Sequence, residues 1–382
     1  MRILHTSDWH LGRQFHGQSM LAHQEAFLDH LVGVIEEREV DLLVVAGDVF
    51  DRALPPVDAV ALADEAFAQL ARSRARVVVT SGNHDSATRL GLNSRLIDAA
   101  GFHLRTEPDR VADPVLLDDE HGPVAVYGIP YLEPDLLRAR WDLPARSHQA
   151  VLGEAVRRIR GDLAARPASR AVVVAHAFVA GGEASDSERD IAVGGVALVP
   201  TGVFDGIDYV ALGHLHGRAV LSGSIRYSGS PLAYSFSEAH HLKGSWLVDL
   251  GADGLVAEEF VPAPVPRRLA RVSGRIDDLL ADPRYADLED AWLQVSLTDE
   301  VRPAQAMARL QQRFPHAVAL QFTPASPGGP TPVARAEGRT DHDIALDFVT
   351  AVRGTPATAE ESALLLEACD AAAREPDADP VA

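Results

Sequence analysis

The stretch "DLLVVAGDVFD", residues 41–51, runs from a short, β-branched apolar segment into two carboxylates, Asp48 and Asp51. Leu42 to Ala46 has the pattern of a buried strand, and the Gly-Asp that follows has the pattern of a turn at its end. Four other runs end in the same way. "RILHT" leads to Asp8 and His10, "RVVVTSG" to Asn83, His84 and Asp85, "AVVVAH" to His176, and "DYVALGH" to His214 and His216. Alternate residues of an extended chain point to one side, so Asp8 and His10 share a target. His214 and His216 repeat that spacing.

Helical patterns at 20–38, 57–72 and 147–164 separate these runs, and "VAVYGI" (124–129) adds another strand. The alternation predicts an α/β layered domain through about residue 265. Later strands near "IRYSG", "GSWLVDL" and "LVAEEFV" extend or double its sheet. Open α/β sheets bind ligands beyond the carboxyl ends of their strands, so five strand ends are expected to converge on one place.

The converging set is Asp8, His10, Asp48, Asn83, His176, His214 and His216. It is too large for one ion and fits two divalent ions about 3.5–4 Å apart, with Asp48 as the natural bridging carboxylate. Such a pair generates hydroxide near neutral pH and holds phosphate oxygens for in-line attack, which is the chemistry of phosphoester hydrolysis. Taken singly, each piece has a plainer reading: a surface Asp-x-His, turns at "GD" and "GNH", a core histidine at 176. Their joint occurrence at strand ends of one domain favours the metal reading.

Composition narrows the chemistry. At 382 residues, 47% hydrophobic and 24% charged, the chain has the balance of a globular protein with two or three domains. No apolar run reaches membrane-spanning length and no basic segment precedes an apolar one at the N-terminus, so a cytoplasmic location without a membrane is expected. The single cysteine, Cys369, excludes an intramolecular disulfide or a thiolate cluster, leaving oxygen and nitrogen ligands. Manganese, magnesium, iron and zinc all suit them. The net charge of −20 argues against a globally basic nucleic-acid binder. A role on nucleic acid therefore needs local basic sites or a basic partner. Lys243 is the only lysine; every other basic side chain apart from histidine is arginine.

The proline-rich "VPAPVPRR" (261–268) closes the domain at 1–265. Residues 266–323 read strand, helix, strand, helix, strand, a small α+β cap. The stretch "TPASPGGPTPVARAEGR" (323–339) is a linker by composition, which sets the linker segment at 324–340, and two helices without a core of their own follow over 341–376. Ile344, Phe348 and Val352 share one helical face, and Thr358 with Glu361 forms a capping box.

The motifs DxH, GDxxD, GNHD, the lone histidine and GHxH together resemble the calcineurin-like metallophosphoesterases. The wording "HTSDWHLG", "GDVFDRALPP", "SGNHDS", "SDSERDIAVGG", "DYVALGHLH" and "YSGSPLAYSFSE" is similar, within them, to the SbcD-type nuclease subunits of bacterial break-processing complexes. The resemblance covers residues 1 to about 265. It implies a layered sandwich of two mixed sheets flanked by helices, with one metal on Asp8, His10, Asp48 and His216 and a second on Asp48, Asn83, His176 and His214. His84 would then stand beside the scissile phosphate as leaving-group acid or transition-state stabiliser, while Asp51 and Asp85 orient ligand groups.

The same resemblance implies a manganese-dependent DNA nuclease, an exonuclease on duplex ends and an endonuclease on hairpins or single strands. Its partner would be an SbcC-type coiled-coil ATPase docked on the C-terminal helices. A homodimer within a heterotetramer, through helices near 57–72 and 89–100, is expected with it, and association with the nucleoid when on DNA. Arg13, Gln14, Arg89, Asn93 and Arg95 are candidates for phosphate contacts. "SGSP" (228–231) offers amides to an anion or is simply a tight turn. The competing reading is a small-molecule phosphodiesterase or phosphatase with the same dinuclear site; the cap, linker and terminal helices favour a nuclease. A scaffold with a decayed site is disfavoured by the full set of ligand residues.

Overall fold

In a computed structural model, residues 1–166, 169–188, 198–265, 267–324 and 339–372 are described. Positions 189–195 of the "SDSERDIAVGG" motif, most of the expected linker and residues 373–376 lie outside them. The chain divides into two units, Met1–Arg271 with Asp287–Gln294, and Val272–Ala286 with Val295–Ala382.

The first unit is built on two six-stranded sheets. One contains β1 (Arg2–Thr6), β2 (Leu42–Ala46), β3 (Arg76–Thr80) and β4 (Phe102–Arg105). The other contains β5 (Val115–Asp119), β6 (Gly122–Ile129), β7 (Arg170–His176), β8 (Tyr209–Gly213), β9 (Ala219–Val220) and β10 (Ile225–Tyr227). Strands β11 (Gly244–Gly251) and β12 (Gly254–Pro262) return to the first sheet, giving orders β12-β11-β1-β2-β3-β4 and β9-β10-β8-β7-β6-β5. The strands that carry the site pair in parallel, with β1 on β2, β2 on β3 and β7 on β8, so their carboxyl ends share one edge. β11 lies antiparallel to β1, and β5 antiparallel to β6, so both sheets are mixed.

The unbroken apolar runs follow from burial on both faces. Leu42, Val44 and Ala46 face the opposite sheet, packed with Val124, Val126, Val172, Val174 and Tyr209. Leu43 and Val45 point the other way, into a core with Phe27, Leu31 and Ile35 of α1 (Leu21–Glu37) and Ala63 and Leu70 of α2 (Val57–Arg72). On the second sheet, Val173 and Ala175 meet Val151, Leu152 and Val156 of α3 (His148–Ala164). The result is the layered α/β sandwich expected, with helices outside both sheets. The helical patterns at 57–72 and 147–164 correspond to α2 and α3, and that at 20–38 to α1.

After the proline joint come β13 (Leu269–Gly274), α4 (Ile276–Ala281), β14 (Trp292–Leu297), α5 (Ala306–Arg313) and β15 (Ala317–Phe322), in the order read from the sequence. They form a three-stranded sheet, β13-β14-β15. Helices α6 (Asp341–Arg353) and α7 (Ala359–Ala372) follow. The Thr358–Glu361 capping box is present: the Glu361 N–H donates to Thr358 Oγ1 and the Thr358 N–H to Glu361 Oε2. Thr340 and Asp343 make a second one at the start of α6. Phe348 and Val352 are exposed by 64% and 68%, so α6 carries an apolar face that no described residue of its own unit covers.

Candidate metal centre

The chain leaves β1 and β2 side by side and stays zipped past their ends. Asp8 N–H donates to Gly47 O at 3.0 Å, His10 N–H to Asp48 O at 3.0 Å and Leu11 N–H to Val49 O at 2.9 Å. To turn the side chains inward, Asp8, His10, Asp48 and His214 adopt φ of +54°, +47°, +50° and +111°. Such backbone costs a non-glycine residue about 1–3 kcal/mol and persists where the surroundings enforce it, typically at functional sites. Among the described residues nine non-glycines have positive φ, and four are candidate ligands. Gly47 has φ +84°, and a Cβ there would lie 2.4 Å from His176 Nδ1. That position brings the β2 turn hard against the β7 histidine.

All seven candidate ligands come together. His10 Nε2 faces His216 Nε2 at 3.0 Å and lies 3.7 Å from Asp48 Oδ2. His176 Nε2 is 2.8 Å from Asn83 Oδ1 and 3.5 Å from Asp48 Oδ2. His214 Nδ1 is 3.2 Å from Asn83 Oδ1, and the His214 N–H donates to both Asp8 oxygens. Donor atoms of Asp8, His10 and His216 lie within 4.8 Å of one another, as do those of Asp8, Asp48 and His176, and of His10, Asp48 and His84. Asp48 therefore belongs to two of the three groups.

The protonation pattern fits cations. His176 Nδ1 sits 2.9 Å from the Ala46 carbonyl, which can only accept, so this nitrogen carries the proton. Burial holds the ring neutral, its pKa brought down to about 3. Its Nε2 lone pair then faces the Asn83 and Asp48 oxygens, three electron-pair donors converging without a proton among them. Burial, reinforced by neighbouring histidines, likewise holds His10 and His214 well below the usual imidazole range. Burial also pushes the Asp8 carboxyl up to about 7, against the pull of His216 and the Ser7 hydroxyl. Keeping it ionised calls for positive charge beside it.

His84 stands at the rim. Its amide donates to Asp48 Oδ1 at 2.8 Å, and its Nδ1 donates to the Asp51 carbonyl at 2.7 Å. Its Nε2 edge lies 4.0 Å from Asp48 Oδ2. Asp51 Oδ1 is 3.7 Å from His10 Nδ1. Asp85 accepts from the backbone amides of Val49, Phe50 and Gly82 and so ties the two carboxylate-bearing turns together, rather than meeting an imidazole N–H.

Of the candidates for phosphate contact, Gln14, Arg89, Asn93 and Arg95 are exposed. Arg13 is engaged within the unit, donating to Ser187 O at 2.9 Å, 3.4 Å from Asp51 and stacked over Tyr234. "SGSP" packs against the His216 loop: Gly229 has φ +77° and Ser230 N–H donates to His216 O at 3.2 Å.

Sequence reasoning assigned no role to the residues behind His216. Glu188 Oε1 accepts its amide at 2.7 Å, and Ser187 Oγ lies 2.6 Å from its Nδ1. Glu238 Oε1 is 3.3 Å from the same nitrogen, and the Glu238 carboxylate pairs with Lys243. Burial opposes ionisation of Glu238, but Lys243 and His216 outweigh it and keep the carboxyl far below its usual range.

Residues 1–218 match the calcineurin-like phosphoesterase family, and residues 265–350 match the SbcD_C family, described as a type 5 capsule protein repressor C-terminal domain. Among solved structures, a Thermus thermophilus protein is 14% identical, covering 68% of this chain and 98% of its own, with a TM-score of 0.40. A novel archaeal phosphodiesterase is 12% identical, covering 68% and 100%, with a TM-score of 0.32. The Plasmodium inner-membrane-complex anchor GAP50 is 11% identical, covering 85% and 98%, with a TM-score of 0.37. Among the described residues, no helix is long and apolar enough to cross a membrane.

Proposed function

Because the chain belongs to the calcineurin-like phosphoesterase family, a hydrolase family whose His/Asp site implies divalent metals, we propose that it is an SbcD-type DNA nuclease subunit. The observation that carries this reading is the SbcD_C match at 265–350, C-terminal to the phosphoesterase match at 1–218 in which the seven proposed donor residues lie close together. In this reading Asp8, His10, Asp48 and His216 hold one ion, and Asp48, Asn83, His176 and His214 the other, with manganese the expected metal. Bound there, the pair supplies a hydroxide nucleophile and neutralises charge on the phosphate oxygens.

The chain's own residues do the rest. His84 keeps its Nδ1 proton on the Asp51 carbonyl, so the imidazolium gives up its Nε2 proton to the leaving oxygen and returns to one neutral tautomer. Its amide on Asp48 Oδ1 couples the acid to the bridging carboxylate. Asp85 fixes the two turns, and Asp51 orients His10 while restraining Arg13. Gln14, Arg89, Asn93 and Arg95 take backbone phosphates. Residues 1–265 form the nuclease domain, 266–323 a DNA-binding cap, 324–340 a linker and 341–376 the docking segment for an SbcC-type coiled-coil ATPase. Exposed Leu92 and Leu96, shortly after the "GNHD" turn, and Val57 on α2 supply apolar surface for a homodimer. The reading places the protein in the cytoplasm, on the nucleoid when engaged.

The test is manganese-supplemented cleavage of a hairpin-ended duplex by the wild type, His84→Ser and Asp8→Ala, with bis-p-nitrophenyl phosphate in parallel. Duplex cutting lost in both variants is expected. Hydrolysis of the small diester alone, even with the ATPase subunit and ATP present, would replace the DNA substrate with a small phosphodiester.

A further inference from the structure

Behind His216 lies a chain of hydrogen bonds whose direction is fixed by charge. Glu238 is 1% exposed and Lys243 is 4% exposed, and the two are ion-paired. A carboxylate can only accept, so the Ser187 hydroxyl, in short contact with Glu238 Oε1, donates to it. The Ser187 oxygen must then accept from the His216 ring nitrogen 2.6 Å away. The proton on His216 is thereby held at Nδ1, and the Nε2 lone pair faces His10 Nε2 across 3.0 Å.

Lys243 anchors the far end. Its ammonium donates to Glu238 Oε2, to Ser230 Oγ at 2.9 Å and to the His216 carbonyl at 2.7 Å. Three acceptors surround one compact charge, and they come from three segments of chain. An arginine fork is planar and longer, and cannot direct donors to all three from the same buried position. In a chain that otherwise uses arginine for its basic side chains, the sole lysine stands at this three-acceptor position.

We propose that Lys243 and Glu238 are positioning residues that act through Ser187 to set the tautomer and aim of His216, and so govern the affinity of one of the two metal positions only. The inference rests on the ligand assignment proposed above, because it requires His216 to bind a metal through Nε2. Partners of this kind typically change metal affinity about 10–100-fold when removed.

The experiment is calorimetric titration of metal-free protein with Mn2+, comparing the wild type with Ser187→Ala, Lys243→Arg and the charge-neutral pair Glu238→Gln/Lys243→Met. Thermal melts accompany each, and Ser187→Ala leaves no buried charge unpaired. Wild type should show two sites. Each variant should weaken one site by roughly 10–100-fold and leave the other unchanged, and Ser187→Thr should restore it. Two sites of wild-type affinity in Ser187→Ala and in any other folded variant would overturn the inference while leaving the metal reading intact. Equal weakening of both sites would overturn it in favour of a general structural role. A wild type that binds no Mn2+ would overturn the ligand assignment and the inference together.

Discussion

Replacing Gly82 by alanine should disable the site and spare the fold. A Cβ on Gly82 would lie 2.1 Å from Asp48 Oδ1 and 2.4 Å from the Asp48 amide nitrogen. Ordinary non-bonded contact is about 3.5–4.0 Å, so the turn or the carboxylate must shift by about 1 Å or more. Asp48 Oδ1 accepts the His84 amide at 2.8 Å, so the displacement reaches the candidate acid as well as the proposed bridging carboxylate. A 1 Å misplacement of reacting groups costs on the order of 10²-fold. We therefore expect kcat for manganese-dependent bis-p-nitrophenyl phosphate hydrolysis to fall by about that factor. Overpacking costs about 1–3 kcal/mol, too little to unfold a chain with three extensive buried clusters. The paired measurement is a melting curve, which should move by only several degrees. A Gly82→Ala enzyme that melts cooperatively and turns over at the wild-type rate would refute the placement of Asp48 at the reacting centre.

Asp85→Asn should lower stability by about 1–3 kcal/mol, because a carboxylate that accepts three backbone amides is replaced by a group with one acceptor oxygen; a urea midpoint equal to the wild type's would count against it. At the far edge of the second sheet, burial raises the Asp119 pKa but the hydrogen bonds from Arg170 and from the N-terminal ammonium 2.8 Å away outweigh it, leaving the carboxyl below its usual range. A depressed folded pKa gives stability that is full above the unfolded value near 4 and is lost as pH falls through the lower folded one. The melting difference between wild type and Asp119→Asn should thus be largest at neutral pH and shrink below about pH 4; a constant difference would contradict it. Phe348→Glu on α6 should leave diester hydrolysis and melting unchanged yet abolish co-purification with an SbcC-type ATPase; retained co-purification would move the docking site elsewhere.

The sheets were legible because their strands are buried on both faces: Leu42 to Ala46 and Val172 to Ala175 are apolar at every position. The strand-end residues were legible only as a set: each taken singly has an ordinary structural reading, but aspartates, histidines and an asparagine recur after five such runs. Edge strands Phe102–Arg105 and Val115–Asp119 escaped notice because only one face is buried and charged residues interrupt them. The support behind His216 was illegible for a different cause. Ser187, Glu238 and Lys243 lie 29, 22 and 27 residues from His216 and outside its motif, and no periodicity marks a carboxylate and a lysine five residues apart that meet the histidine only once their stretch of chain packs against it. Asp85 misled in kind: its partners are peptide amides, which every residue but proline has and no sequence displays. Arg13, expected to reach for phosphate, spends its guanidinium on Ser187 O and Asp51.

The site straddles a seam. Asp8, His10, Asp48 and Asn83 leave the first sheet, His176, His214 and His216 leave the second, and each of two donor groups takes members from both. Ions held there would act as rivets between the two halves of the sandwich, so loading and folding become one equilibrium. Ligand at a hundred times its dissociation constant adds about 2.7 kcal/mol to stability, and withdrawal removes it. Starvation for the divalent metal would then deplete the protein itself through turnover of its loosened form, and the cell would lose the enzyme rather than store it idle.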